Sequence, residues 1–229
     1  QKRSAYQYNR WAREEVYGGA QAMKNVTTVS HPLIDHSLTI LRDKDTKTEE
    51  FRRHADVVSK LILIEATKQL KLMDKKIETP LAPFRGKELK DDIIVVPVLR
   101  AGLAMLIALR DFLPAVSVGF IGLERDEKTA IAREYYKKIP QIFSTHIVLV
   151  IDPMLATGGS MDDTVSAVKA KGATRIVAVS IVSAPEGIKR FSEHHPDVPI
   201  VTAAIDTHLN DKAYIVPGLG DFGDRYFGT

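Results

Sequence analysis

An α/β fold, an open and mostly parallel sheet of about five strands flanked by helices, is predicted by three observations. Short runs rich in Val and Ile recur at Ile93–Val98, Val116–Leu123, Ile147–Asp152, Arg175–Val182 and Ile200–Ile205. They are nearly continuous rather than alternating, as strands covered on both faces must be. Helical patterns separate several of them, which argues for parallel pairing through right-handed crossovers. The chain has 229 residues, of which 45% are hydrophobic and 27% charged, an ordinary globular composition with enough length for one sizeable core.

The elements follow in order. Met23-Lys24-Asn25-Val26 marks the expected start of a domain spanning 23–229, with 1–22 an appended remnant or an N-terminal arm packing on a neighbour. Glu49–Met73 predicts one long helix, since Phe51, Ala55, Val58, Ile62 and Ala66 make a single stripe. The first strand, Ile93–Val98, leads into a helix over Gly102–Phe112. Val116–Leu123 is the second strand. Arg125–Phe143, with its charges and Tyr135–Tyr136, is too long and polar for a tight turn and predicts a protruding hairpin or mobile flap. After the third strand comes a helix over Ser160–Lys171, with Met161, Val165 and Val168 at helical spacing and Gly172 as its stop. Glu186–His194 is the helix after the fourth strand, and His194–His195 is expected to be its solvated end. Tyr214–Thr229, with four glycines, one proline and four aromatic residues, predicts an ordered loop lying over another part of the molecule.

Composition narrows the function classes. With 32 basic and 29 acidic residues the net charge is only +3, which offers no support for nucleic acid binding. The absence of cysteine excludes disulfides, thiolate metal sites and a cysteine nucleophile, and fits a cytoplasmic protein. No apolar run approaches ~18 residues, so no membrane-spanning helix is expected. The seven histidines show no ligand spacing.

Chemistry concentrates in Val148-Leu149-Val150-Ile151-Asp152-Pro153-Met154-Leu155-Ala156-Thr157-Gly158-Gly159-Ser160. An apolar strand ends in an acid, a small-residue loop follows, and a helix begins. Backbone N–H groups of Ala156–Ser160 then lie at a helix N-terminus, where phosphate binds readily. Gly158 and Gly159 allow close backbone approach, and the Thr157 and Ser160 hydroxyls add donors. Asp152, at the carboxyl end of the strand, can accept from sugar hydroxyls at the edge where parallel sheets bind ligands. No Gly-Lys-Ser/Thr is present, so this is not a Walker loop.

The loop resembles that of the phosphoribosyltransferases that use phosphoribosyl pyrophosphate (PRPP). Pro153 replaces the family's usual second acid and, with Met154-Leu155-Ala156-Thr157, is similar to the uracil phosphoribosyltransferase branch. Further matches are His31-Pro32-Leu33 with Leu41-Arg42-Asp43-Lys44, then Phe51-Arg52-Arg53, then Val96-Pro97-Val98-Leu99-Arg100-Ala101-Gly102, and finally Tyr214-Ile215-Val216-Pro217-Gly218-Leu219-Gly220-Asp221-Phe222. The resemblance implies transfer of phosphoribose from PRPP to uracil. It implies that Asp152–Ser160 holds the 5-phosphate and ribose, that Arg100 contacts pyrophosphate, and that Arg125 reaches PRPP from the flap. Ile215, Gly220, Asp221 and Phe222 would meet uracil, largely through backbone groups. Asp221 would also approach PRPP or its metal, so Arg125 and Asp221 are the candidate catalytic residues, acting by charge and positioning. Asp224 is expected on the exposed side. Mg²⁺ is the implied cofactor, held mainly by substrate and water. A non-proline cis peptide at or beside Leu99–Arg100, GTP as an effector and a homo-oligomer (dimer or tetramer) are further implications. Two rival readings are the same fold acting on another base and a regulatory RNA-binding protein built on it.

Overall fold

The computed structural model describes residues 25–125 and 132–229. The expected extension 1–22 therefore lies outside the described residues, as does the flap tip at 126–131.

The described residues open on strand β1 (Val26–Thr28) and helix α1 (Pro32–Arg42). The His31 side chain accepts from the Leu33 N–H and Pro32 occupies the first turn, which together set the start of α1. Helix α2 (Thr48–Ala66) buries Phe51, Ala55, Val58 and Ile62 on the predicted stripe. It stops seven residues short of Met73. Leu72–Glu78 is instead strand β2, paired antiparallel with β3 (Pro83–Leu89). The turn between them is locked by the Thr79 hydroxyl, which accepts from the Leu81 and Ala82 N–H groups. Cross-strand ion pairs Lys75–Glu88 and Lys87–Asp74 lie along the hairpin. Its strands are exposed and lack the run of apolar residues that marks a buried strand, which is why the helical pattern seemed to continue.

The central layer follows: β4 (Asp92–Pro97), α3 (Gly102–Arg110), β5 (Ser117–Val118), β6 (Phe120–Arg125), β7 (Ala132–Lys138), β8 (His146–Ile151), β9 (Met154–Leu155), α4 (Gly159–Lys169), β10 (Ile176–Ser183), α5 (Pro185–His194) and β11 (Ile200–Ile205). Two short strands, β12 (His208–Leu209) and β13 (Ile215–Val216), and helix α6 (Phe222–Phe227) complete the chain. The sheet is parallel with order β1-β11-β10-β8-β4-β5, and β9 pairs with β10, giving seven strands among the described residues rather than about five. The two additional strands, β1 and β9, span three and two residues, too few for a hydrophobic pattern to register. Alternate strand residues face opposite cores. Val95, Leu149 and Val179 pack with α1, α2 and α3, while Ile94, Val148 and Ala178 pack with α4 and α5.

The expected strand Val116–Leu123 is interrupted at Gly119, where the backbone passes close to its neighbours. A Cβ there would lie 3.2 Å from both Pro140 Cδ and Val96 Cγ2. The chain bends at that point, leaving β5 in the sheet and sending β6 into an antiparallel hairpin with β7. The predicted protrusion at Arg125–Phe143 is thus a hairpin that begins earlier, at Phe120. The tail, predicted as a loop, ends in α6, whose first turn is capped by the Asp221 carboxylate accepting from the Asp224 N–H at 2.9 Å. Phe222 stacks edge-on against Phe51 of α2 at 5.2 Å, so the tail does lie over the body.

Candidate active site

The sheet's connections place the site. From β4 the chain crosses through α3 to β5 on one side, whereas β8, β4's neighbour on the other side, continues through α4 to β10. Such a reversal opens a crevice at the carboxyl ends of the two diverging strands. The segment beginning at Val98 leaves β4 at that point, and Asp152–Ser160 leaves β8 beside it. They are pinned together by the Val98 N–H donating to Ile151 O at 2.9 Å. Gly102 closes the approach: a Cβ there would sit 2.6 Å from Ile151 O. The Leu99–Arg100 peptide is cis, as the resemblance implied.

Asp152, the loop 154–161 and Ala213 line a cavity of about 80 Å³. Helix α4 begins at Gly159, so the N–H groups of its first turn have no helical carbonyl partner and face the loop's mouth. Gly158 precedes it at φ +81°, a left-handed conformation that a side chain resists. The loop also rests on α5: a Cβ at Gly187 would fall 2.2 Å from Ala156 O. Asp152 accepts from the Met154 N–H at 3.3 Å, but burial dominates and pushes its carboxyl up to about 7. No positive side chain is among the causes of that shift, so the carboxylate is available to a sugar hydroxyl or a cation.

The tail reaches the same crevice. Gly223 sits beside Ala101, with 3.9 Å between the Ala101 Cβ and a Cβ built on the glycine. The exposed Arg100 guanidinium donates to Asp224 Oδ1 at 3.2 Å. Asp224 is exposed, as expected, and it also meets the predicted pyrophosphate residue, while Asp221 serves as the helix cap. Ile215, Leu219 and Phe222 are buried, and Gly220 is exposed at a left-handed φ of +79°. Arg125 ends β6 opposite Ala132, and its side chain lies outside the described residues.

Sequence reasoning missed three features around the site. His195 is buried rather than solvated, and with His194 it binds the Asp162 carboxylate at 2.8 and 2.7 Å, tying α5 to α4 behind the phosphate loop. Arg42 pairs with Asp206 at 2.6 Å beneath the tail. Arg225 donates to Leu219 O at 2.7 Å and to Leu41 O. Each joins residues far apart in sequence, so no local pattern announces it. Among the described residues there is no group of three or more His, Cys, Asp or Glu side chains that could hold a metal. No helix among them is long and apolar enough to cross a membrane.

A family model described as uracil phosphoribosyltransferase matches residues 28–229. The chain is 50% identical over 207 residues to the uracil phosphoribosyltransferase of Campylobacter fetus subsp. fetus (strain 82-40), covering 90% of this chain and 99% of that one. It is 51% identical over 205 residues to the uracil phosphoribosyltransferase of Dictyoglomus thermophilum, covering 89% and 99%. Among solved structures, the AQ2163 protein from Aquifex aeolicus superposes with a TM-score of 0.84 at 36% identity, covering 89% of this chain and 98% of that one. The adenine phosphoribosyl transferase from Trypanosoma brucei shares the fold, with a TM-score of 0.51 at 18% identity over 82% of this chain and 87% of that one.

Proposed function

Because the chain belongs to the uracil phosphoribosyltransferase family, it is a pentosyltransferase acting on uracil, and we propose that it divides the work between two loops across one crevice. The C1–O bond of PRPP breaks with its electron pair leaving on pyrophosphate. A C1–N1 bond to uracil forms, and the N1 proton is lost. The ribose passes through an oxocarbenium-like state, so catalysis rests on stabilising the departing charge and aligning the base.

The observation that carries this reading is the cavity formed by the phosphate loop with Ala213, in the turn that leads into β13 and the base loop. In it, Asp152–Ser160 cradle the 5-phosphate through the start of α4, and Asp152 accepts from the ribose hydroxyls. Arg100 meets pyrophosphate, exchanging Asp224 for it, and Arg125 supplies a second positive charge from the hairpin. Ile215, Gly220, Asp221 and Phe222 read uracil. Backbone N–H and C=O groups on a rigid loop suit uracil's O4 and N3–H, and cytosine presents the reverse pattern, which strands buried polar groups.

Mg²⁺ fits this donor set. A site that offers few carboxylates, Asp221 among them, suits an ion that takes most of its ligands from phosphate and water. Bound there, it would neutralise charge on the pyrophosphate oxygens. The family resemblance further supports GTP as an effector and a homo-oligomer. Exposed apolar side chains on the β2–β3 hairpin, among them Leu72, Ile77, Leu81 and Phe84, favour assembly. The cysteine-free composition suits a cytoplasmic enzyme.

Product analysis with PRPP, Mg²⁺ and a panel of bases tests the reading. Uracil should yield uridine monophosphate and pyrophosphate, while cytosine, adenine and hypoxanthine should not react. Comparable turnover of a purine would overturn the base assignment and leave the sugar donor standing.

A further inference from the structure

The segment that follows β13 must hold its backbone groups still to read a base, yet it lies between a two-residue strand and a short helix. Gly218 and Gly220 adopt φ of +60° and +79°, so neither residue sits in a regular ladder. Three side chains from elsewhere supply the rigidity. Asp206, just past β11, accepts from the Gly218 N–H at 2.8 Å. Arg42, the last residue of α1, donates to both Asp206 oxygens at 2.6 and 2.8 Å and to Gly218 O at 2.7 Å. Arg225 donates to Leu219 O at 2.7 Å, to Asp43 O at 2.5 Å and to Leu41 O, with its guanidinium 4.4 Å from the Phe51 ring centre.

Covalent geometry turns these contacts into an aim. In a trans peptide the N–H points opposite to the preceding C=O. Drawing the Gly218 and Leu219 carbonyls toward the end of α1 therefore turns the N–H groups of Leu219 and Gly220 the other way. Neither N–H meets a protein acceptor among the described residues. We propose that Arg42, Asp206 and Arg225 are specificity-positioning residues, which do not touch the base but aim the Gly220 N–H at a carbonyl oxygen of uracil. The proposal rests on reading 215–222 as the base loop. It goes further by naming the side chains on which base recognition depends.

The molecule contains its own control. Arg175 and Asp91 form a pair with the same 2.6 Å separation and the same 25% and 4% side-chain exposure as Arg42 and Asp206. That pair joins the amino ends of β10 and β4, at the opposite edge of the sheet from the crevice. A purely structural role would make the two pairs equivalent.

Steady-state kinetics and thermal unfolding of Arg42→Gln, Arg225→Gln and Arg175→Gln decide the matter. All three should lose thermal stability. Arg42→Gln and Arg225→Gln should raise the KM for uracil about tenfold, with the KM for PRPP changed by less than about twofold. Arg175→Gln should leave both constants at wild-type values. Asp206→Asn, which is isosteric and keeps an acceptor for the Gly218 N–H, should raise the uracil KM by a smaller factor and carries the comparison if Arg42→Gln does not fold. Folded variants with unchanged uracil KM, or an equal rise in Arg175→Gln, would overturn the proposal. Failure of the wild-type protein to convert uracil would instead sink the base-loop reading, so the two failures are distinct.

Discussion

The phosphate loop and the base loop share a crevice but are built by different means. Residues 152–160 are held by backbone: a buried strand before, a helix after, Gly158 at φ +81° between, β9 paired with β10, and close packing on Gly187 of α5. Residues 215–221 are held by Asp206 and by Arg42, the latter reaching Gly218 from 176 positions away. A loop held by close backbone packing gives way all at once when a side chain fills its turn. A loop held by distant hydrogen bonds loosens by degrees as each is removed. One fold can therefore keep its sugar donor fixed while its base specificity drifts, because the two functions do not depend on the same residues.

The largest expected effect tests the loop held by backbone packing. Gly158→Ala places a Cβ 2.8 Å from Gly187 O at a left-handed φ, so the loop must shift off α5. PRPP affinity measured by calorimetry should fall about a hundredfold, the scale seen when a binding group moves by an ångström. Unchanged affinity would show that Asp152–Ser160 is not the phosphate cradle. Gly218→Ala is the matching change in the base loop, with a Cβ 2.1 Å from Ile215 O at φ +60°. Its uracil KM should rise about tenfold while calorimetric PRPP affinity stays near wild type. An equal loss for both substrates would mean that the loops are not separable.

A smaller effect separates two aspartates of the tail. Asp221→Ala removes the cap of α6, worth about 1 kcal/mol, and shifts the backbone under the base. It should lower Tm and weaken the apparent binding of both substrates. Asp224→Ala removes an ion pair whose partners, Arg100 and Asp224, are 62% and 49% exposed, worth about 0–1 kcal/mol. It should change kinetics little, since Arg100 remains to meet pyrophosphate. A larger defect in Asp224→Ala would mean that the Arg100 pair, not the cap, organises the tail.

How much could be read beforehand follows the same division. The strands β4, β8, β10 and β11 announce themselves as Val- and Ile-rich runs because both of their faces are buried, and the phosphate loop is legible because its pattern of strand, acid, glycines and helix lies within a dozen residues. The hairpin β2–β3 hid because its exposed strands carry charges that a helix would carry equally well. The Gly119 bend hid because the residues packed against it, Pro140 and Val96, are distant in the chain. Base-loop residues were reachable by family resemblance, but Arg42, Asp206 and Arg225 were not assigned roles, since a guanidinium 176 residues from its acceptor leaves no periodicity. His195 looked like a helix end because a His-His pair before proline is normally wet, and the Asp162 carboxylate that buries it arrives from another helix.

The smallest effect concerns the one titratable group of the phosphate loop. Burial raises the Asp152 carboxyl from 3.8 to about 7, the folded protein favouring the neutral form. Below pH 3.8 the group is protonated in both states and has no effect on stability. As the pH rises from there through 7 the unfolded chain releases its proton first, so folding is progressively disfavoured until the folded state ionises too. Asp152→Asn removes this pH dependence, so it should raise Tm more at pH 8 than at pH 5 in the absence of substrate. The side chain is only partly shielded from solvent, which keeps the gain to a few degrees. The same substitution removes the charged acceptor for the ribose hydroxyls, so PRPP should stabilise the variant less than the wild-type protein. A Tm difference independent of pH would show that Asp152 is ordinarily solvated. A pH-dependent gain together with weaker PRPP stabilisation would show that this carboxylate is kept in a setting that costs stability because the donor needs it there.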